Sequence, residues 1–208
     1  MIDKIKVIIK NELFLGSFIL LILINFGNII NYIFHFAMAR ILGPNDYGVL
    51  AALTNIIYIF SVPALSIQIL VSRTITRLNI KKEYGKIKGV SKSLIKEMSL
   101  ISLIAFLVFS FFSIFLSTQL NISIWLLILT GVFIFIAFIS PITIGILQGM
   151  KKFNVWGVNY IINCLLKLII AIFLVVLGFR VYGVLIGFIL GTLIAVLLTI
   201  PFIKEIIS

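Results

Sequence analysis

Acid is scarce in this chain. Six Asp and Glu stand among 208 residues against seventeen Lys and Arg. All six (Asp3, Glu12, Asp46, Glu83, Glu97 and Glu205) fall near the ends of apolar runs or between them. Paired carboxylates for acid–base chemistry are therefore missing, and no acid sits inside an apolar run to carry a proton or sodium ion. Histidine occurs once, at His35, which excludes a histidine-based metal cluster. Cysteine also occurs once, at Cys164, which excludes an intrachain disulfide framework. A Gly-x-Ser-x-Gly elbow, a phosphate-binding loop and a His-Glu-x-x-His helix are all absent. The polar segments are too short to house a nucleotide domain. No enzyme, cofactor or metal is expected. Charged residues make up 11% of the chain, against roughly 25% in soluble domains, so an ordinary soluble fold is excluded as well.

What is present is hydrocarbon: 62% hydrophobic residues with nineteen Phe, and a mean hydropathy of +1.32. Disorder is excluded by that apolar content. Six apolar stretches, 13–37, 47–71, 98–117, 122–147, 156–177 and 181–203, each approach or exceed the ~20 residues that cross a bilayer as helix. None alternates as a barrel strand does. The fold class expected is an all-α integral membrane protein, a bundle of six transmembrane helices. The first run is too long for the h-region of a signal peptide, about 7–15 residues, and reads as an uncleaved span.

The net charge of +11 would suggest nucleic acid in a soluble protein. Its distribution says otherwise, and no nucleic-acid partner is expected. Lys4, Lys6 and Lys10 precede the first span; Arg73, Arg77, Lys81, Lys82, Lys86, Lys88, Lys92 and Lys96 lie between the second and third. Lys151 and Lys152 lie between the fourth and fifth, and Lys204 follows the sixth. Only Arg40 and Arg180 fall on the other side, and Lys167 is inside the fifth span. Positive charge favours the cytoplasmic face, so the reading is a multi-pass protein of the cytoplasmic membrane with both termini in the cytoplasm. The basic segment 72–97 carries apolar residues at helical spacing and is expected to be a short cytoplasmic helical hairpin turning at Tyr84-Gly85. Its cations either orient the chain on anionic headgroups or recruit a partner.

Polar side chains are costly in lipid and turn toward protein or a wet cavity. In the first span Asn25, Asn28, Asn31, Tyr32 and His35 recur at spacings of three to four residues; in the fifth, Asn159, Asn163 and Lys167 recur every four, beside Cys164. These stripes read either as a cavity lining or as single amide bonds between helices. A lysine at a helix centre costs about 2.5–3.5 kcal/mol on insertion scales. Lys167 is thus either a contact for an anionic, phosphate-like group or a stem that snorkels to the interface. Gly183, Gly187 and Gly191 form a small-residue stripe for close helix packing. Pro63 and Pro141 are expected to kink their helices.

Two segments carry a resemblance. Arg40-Ile41-Leu42-Gly43-Pro44-Asn45-Asp46-Tyr47-Gly48, between the first two spans, and Gly145-Ile146-Leu147-Gln148-Gly149-Met150-Lys151-Lys152-Phe153, leaving the fourth, resemble the two markers of polysaccharide biosynthesis membrane proteins. These are the oligosaccharide-lipid flippases of the multidrug/oligosaccharidyl-lipid/polysaccharide exporter superfamily. In the first marker Gly43-Pro44 would break the helix, Asp46 would cap the next one and Gly48 would allow close packing. The resemblance implies a transporter that passes a lipid-linked anionic saccharide across the membrane, with membrane lipids as neighbours. Members resemble two six-span lobes in one chain, and this sequence matches the N-terminal one. A homodimer, a separately encoded second lobe and a truncated product are all compatible with that length. The alternatives carried forward are a lobe of a cation-coupled multidrug antiporter and a non-transporting structural subunit.

Overall fold

The computed structural model describes residues 2–207, with side chains over 14–203, and every regular element in it is helical. α1 spans Ile2–Ile80, α2 Tyr84–Leu120, α3 Ile124–Gly149, α4 Phe153–Leu174 and α5 Arg180–Ile207, with a π-helical turn at Val175–Phe179 before α5. By length and composition, four segments among the described residues are able to cross a membrane: Phe14–Ile80, Tyr84–Leu120, Ile124–Gly149 and Phe153–Ile203. The expected count of six helices is not met. The reason is local. Helical hydrogen bonding continues past two of the expected turns, and few residues leave helical geometry: Gly43 (φ 75°, ψ 174°) at the first, and Gly178 (φ 94°, ψ 3°) with Arg180 (φ 50°, ψ −133°) at the second. The Gly43 combination is open essentially to glycine alone.

Each break nonetheless reverses the chain. Twelve residues of straight helix would separate His35 from Tyr47 by about 18 Å, yet the Tyr47 hydroxyl lies 3.4 Å from His35 Nδ1. α1 is therefore two antiparallel limbs. Beyond Gly178, α5 returns along α4: a Cβ on Gly183 would sit 2.8 Å from Leu174 Cβ, and one on Gly191 would sit 3.0 Å from the Lys167 backbone nitrogen. The small-residue stripe is thus taken up by packing within the chain. Pro63 and Pro141 lie inside α1 and α3, both of which stay helical through them. The breaks fall at glycines, where positive φ is accessible, rather than at the prolines.

The hairpin between α1 and α2 is helical on both sides, as expected. Its turn comes earlier, at Lys81, Lys82 (φ 56°) and Glu83, and Tyr84 and Gly85 already belong to α2.

Contacts sort the turns into two ends. Gly149 packs on Ile75 and Ser72, and Phe153 packs on Gly16, so the 150–152 turn sits beside the cationic hairpin and the start of α1. This is the basic end. At the other end Arg180 pairs with Asp46 through two bonds of 2.6 and 3.1 Å, and Tyr182 donates to Ser123 at 2.9 Å. Lys4, Lys6, Lys10 and Lys204 lie outside the residues whose side chains are described.

The main core joins Phe34, Met38, Leu50 and Leu53 of α1 to Phe109 of α2, Leu127 and Ile134 of α3, and Leu185 and Phe188 of α5. A second cluster at the basic end packs Val71 and Ile75 against Ile87, Ile142 and Ile146. Most buried hydroxyls return to their own helix, as Thr130 does to the Leu126 carbonyl at 2.9 Å, so they cost little in a dry interior; the Ser91 hydroxyl is buried with no partner among the described residues. Much of the helices' outer surface is apolar too. Leu100, Leu103, Leu107, Phe111 and Ile114 form an exposed stripe along α2, a surface that suits lipid and would aggregate in water.

Candidate functional site

Both limbs of α1 and the helices α3, α4 and α5 surround a polar cavity of about 460 Å³. Asn28, Asn31, Tyr32 and His35 come from the first limb of α1, Thr54, Ile57 and Tyr58 from the second. Phe133 comes from α3, Tyr160, Asn163, Cys164 and Lys167 from α4, and Phe188 and Thr192 from α5. Lys167 lies eleven residues before Gly178, about 16 Å along the helix axis from that reversal.

Lys167 is the centre of the site. Its ammonium donates to Asn31 Oδ1 and stands 4.9 Å from the Phe34 ring centroid and 5.1 Å from that of Phe188. Cation–π contacts of this kind are worth about 0.5–2 kcal/mol, most when desolvated. The stem therefore does not snorkel to the basic end; it stays among residues at its own depth. Gly191 makes this possible, because α5 approaches the Lys167 backbone only where a Cβ is missing. Among the described residues no carboxylate bonds this ammonium.

A polar chain extends from it. The Asn31 amide nitrogen reaches both the Tyr160 hydroxyl and Cys164 Sγ at 3.3 Å, and Tyr160 donates to Asn28 Oδ1 at 3.0 Å. Asn163 donates to the Thr192 hydroxyl at 3.4 Å. His35 meets Tyr47 as described and packs edge-on against Phe34. Among the described residues no cluster of His, Cys, Asp and Glu is arranged to hold a metal.

Two of the seven candidate residues lie elsewhere. Asn25 is exposed and donates to its own helix at the Leu21 carbonyl, 2.8 Å away. Asn159 donates to the Ala195 carbonyl at 2.7 Å and lines a separate apolar groove with Val155, Val158, Ile162, Leu198 and Phe202. The cause is the helix pitch. Steps of three residues turn 60° short of a full circle and steps of four turn 40° beyond it, so the far member of each stripe rotates off the face. Tyr160 was missed, although Tyr160, Cys164 and Lys167 share one face at i, i+4 and i+7. Thr54, Tyr58 and Thr192 carry no such signal in the sequence, since each becomes a lining residue only through the packing of its helix.

The motif residues build the frame around the cavity. Gly145 and Gly149 seat α3 on α1, where Cβ atoms would fall 2.9 Å from the Gln68 carbonyl oxygen and 2.7 Å from Ile75 Cβ. Gln68 donates to Gln148 across the same joint at 3.2 Å. Phe153 covers Gly16. Leu42 and Tyr47 pack on the main core, and Pro44 follows the break at Gly43. Asp46, expected to cap a helix, instead pairs with Arg180. Arg40 lies 4.8 Å over the Phe36 ring. Gly48 has open space where a Cβ would stand, so it is not a close-packing glycine.

A family model described as polysaccharide biosynthesis protein matches residues 14–206. No curated protein and no solved structure matches. The chain belongs to the polysaccharide biosynthesis protein family.

Proposed function

We propose that this family member is one lobe of a flippase-type transporter that carries a lipid-linked oligosaccharide or polysaccharide precursor across the cytoplasmic membrane. In this reading each limb of α1, α2, α3, α4 and α5 crosses once, giving six crossings with the basic end in the cytoplasm. The chain is a carrier rather than a catalyst. A second copy, or a separately encoded second lobe, faces the cavity, and the two lobes rock to expose it to each side in turn.

The observation that supports this reading best is Lys167. A lysine has three N–H donors. One is given to Asn31, and two remain for the oxygens of a phosphate-like link between lipid and sugar. The aromatic faces of Phe34 and Phe188 hold the ammonium while it waits, without a carboxylate that would compete with the substrate. The missing carboxylate also argues against ion-coupled drug exchange.

The test is movement of a fluorescent lipid-linked saccharide in vesicles containing the purified protein. A hydrogen bond to a charged group contributes about 1.5–3 kcal/mol, so Lys167→Ala is expected to slow flipping roughly ten- to hundredfold. An unchanged rate would remove Lys167 from the transport path.

A further inference from the structure

The polar groups of the cavity divide into two sets. Asn28, Asn31, Tyr160 and Lys167 bond one another, and Asn163 bonds Thr192. Tyr32 and Tyr58 stand apart. They are 73% and 56% exposed, they line the same cavity, and neither hydroxyl has a hydrogen-bond partner among the described residues. Tyr32 precedes Gly43 by eleven residues and Tyr58 follows it by fifteen, about 16 and 22 Å along the axis. Both phenols are therefore deep within a ~30 Å hydrocarbon core, where an unpaired hydroxyl is costly and acyl chains supply no partner.

We propose that Tyr32 and Tyr58 form a saccharide subsite beside the phosphate subsite at Lys167. Each phenol donates and accepts one bond with a polyol, and each ring offers a flat apolar face to the C–H face of a sugar ring. A glycosyl phosphate places its anion and its first sugar side by side, as the cavity places its ammonium and its two free phenols. This inference rests on the transport reading above and adds the means of telling a loaded carrier lipid from a bare one.

The two are separated by binding measurements on the purified full chain with two probes, a polyprenyl phosphate and the same lipid carrying a disaccharide. Wild type is expected to prefer the disaccharide form. Because neither hydroxyl bonds anything among the described residues, Tyr32→Phe and Tyr58→Phe are expected to retain the fold. A neutral hydrogen bond contributes about 0.5–1.5 kcal/mol, so each variant is expected to lose roughly two- to tenfold of that preference, with affinity for the bare lipid unchanged. Lys167→Gln is expected to weaken both probes alike. A preference that survives the double Phe variant overturns the subsite. An equal loss with both probes overturns it too, since the phenols would then meet the lipid, the phosphate or a neighbouring lobe. If Lys167→Gln leaves both affinities intact, the phosphate subsite at Lys167 fails and the saccharide subsite beside it with it; if wild type binds neither probe, the transport reading itself fails.

Discussion

Asn31 divides one side chain among three neighbours, with its nitrogen toward Tyr160 and Cys164 and its oxygen on the Lys167 ammonium. Its neutrality matters as much as its reach. An aspartate there would keep the acceptor for Lys167 but cancel the charge that attracts a phosphate. Asn31→Asp is expected to fold at least as well as wild type, judged by detergent size-exclusion profile, while slowing flipping at least tenfold; Asn31→Leu should fold less well. A fast Asn31→Asp variant would show that the cavity does not need its net positive charge. Residue spacing alone led to five of the seven candidates in the cavity: Asn28, Asn31, His35, Asn163 and Lys167. Asn25 and Asn159 escaped because periodicity gives a direction on one helix and not the rotation of its neighbour. Tyr58 and Thr192 were invisible for the same reason.

At the scale of elements, glycine sets both the reversals and the close approaches. Gly43 turns the chain through a conformation closed to other residues, and Gly145 and Gly149 let α3 lie against the α1 backbone. Gly43→Ala is expected to cost about 1–3 kcal/mol through backbone strain. Gly145→Ala and Gly149→Ala should cost a similar amount, about 1–3 kcal/mol, through overpacking. Gly48→Ala, with free space around it, should stay within about 0.5 kcal/mol of wild type. Thermal unfolding in detergent would rank them, and equal losses at Gly48 and Gly149 would refute the packing account. The apolar runs and the polar turns between them were legible, because length and hydropathy report them directly. The number of continuous helices was not, because it depends on whether a single residue interrupts the hydrogen-bond ladder or several do.

For the whole molecule, the two-ended distribution of turns is the property from which sidedness follows. In a Cys164→Ala background, Asn45→Cys and Lys86→Cys are expected to react with a membrane-impermeant thiol reagent from opposite faces of intact cells. Labelling from the same face would undo the proposed crossing pattern. Charge counts along the sequence already suggested that polarity. The ties that hold each end together were hidden, since Asp46 and Arg180 are 134 residues apart and meet only after both hairpins have closed.

The reversals at Gly43 and Gly178 also decide where the protein tolerates added sequence. Only Gly43 at the first, and Gly178 with Arg180 at the second, leave helical geometry, so an epitope tag or fluorescent module spliced there must unwind bonded backbone on both sides. Lys81, Lys82 and Glu83 already lie outside the helices, which makes that tip the natural place to mount a reporter.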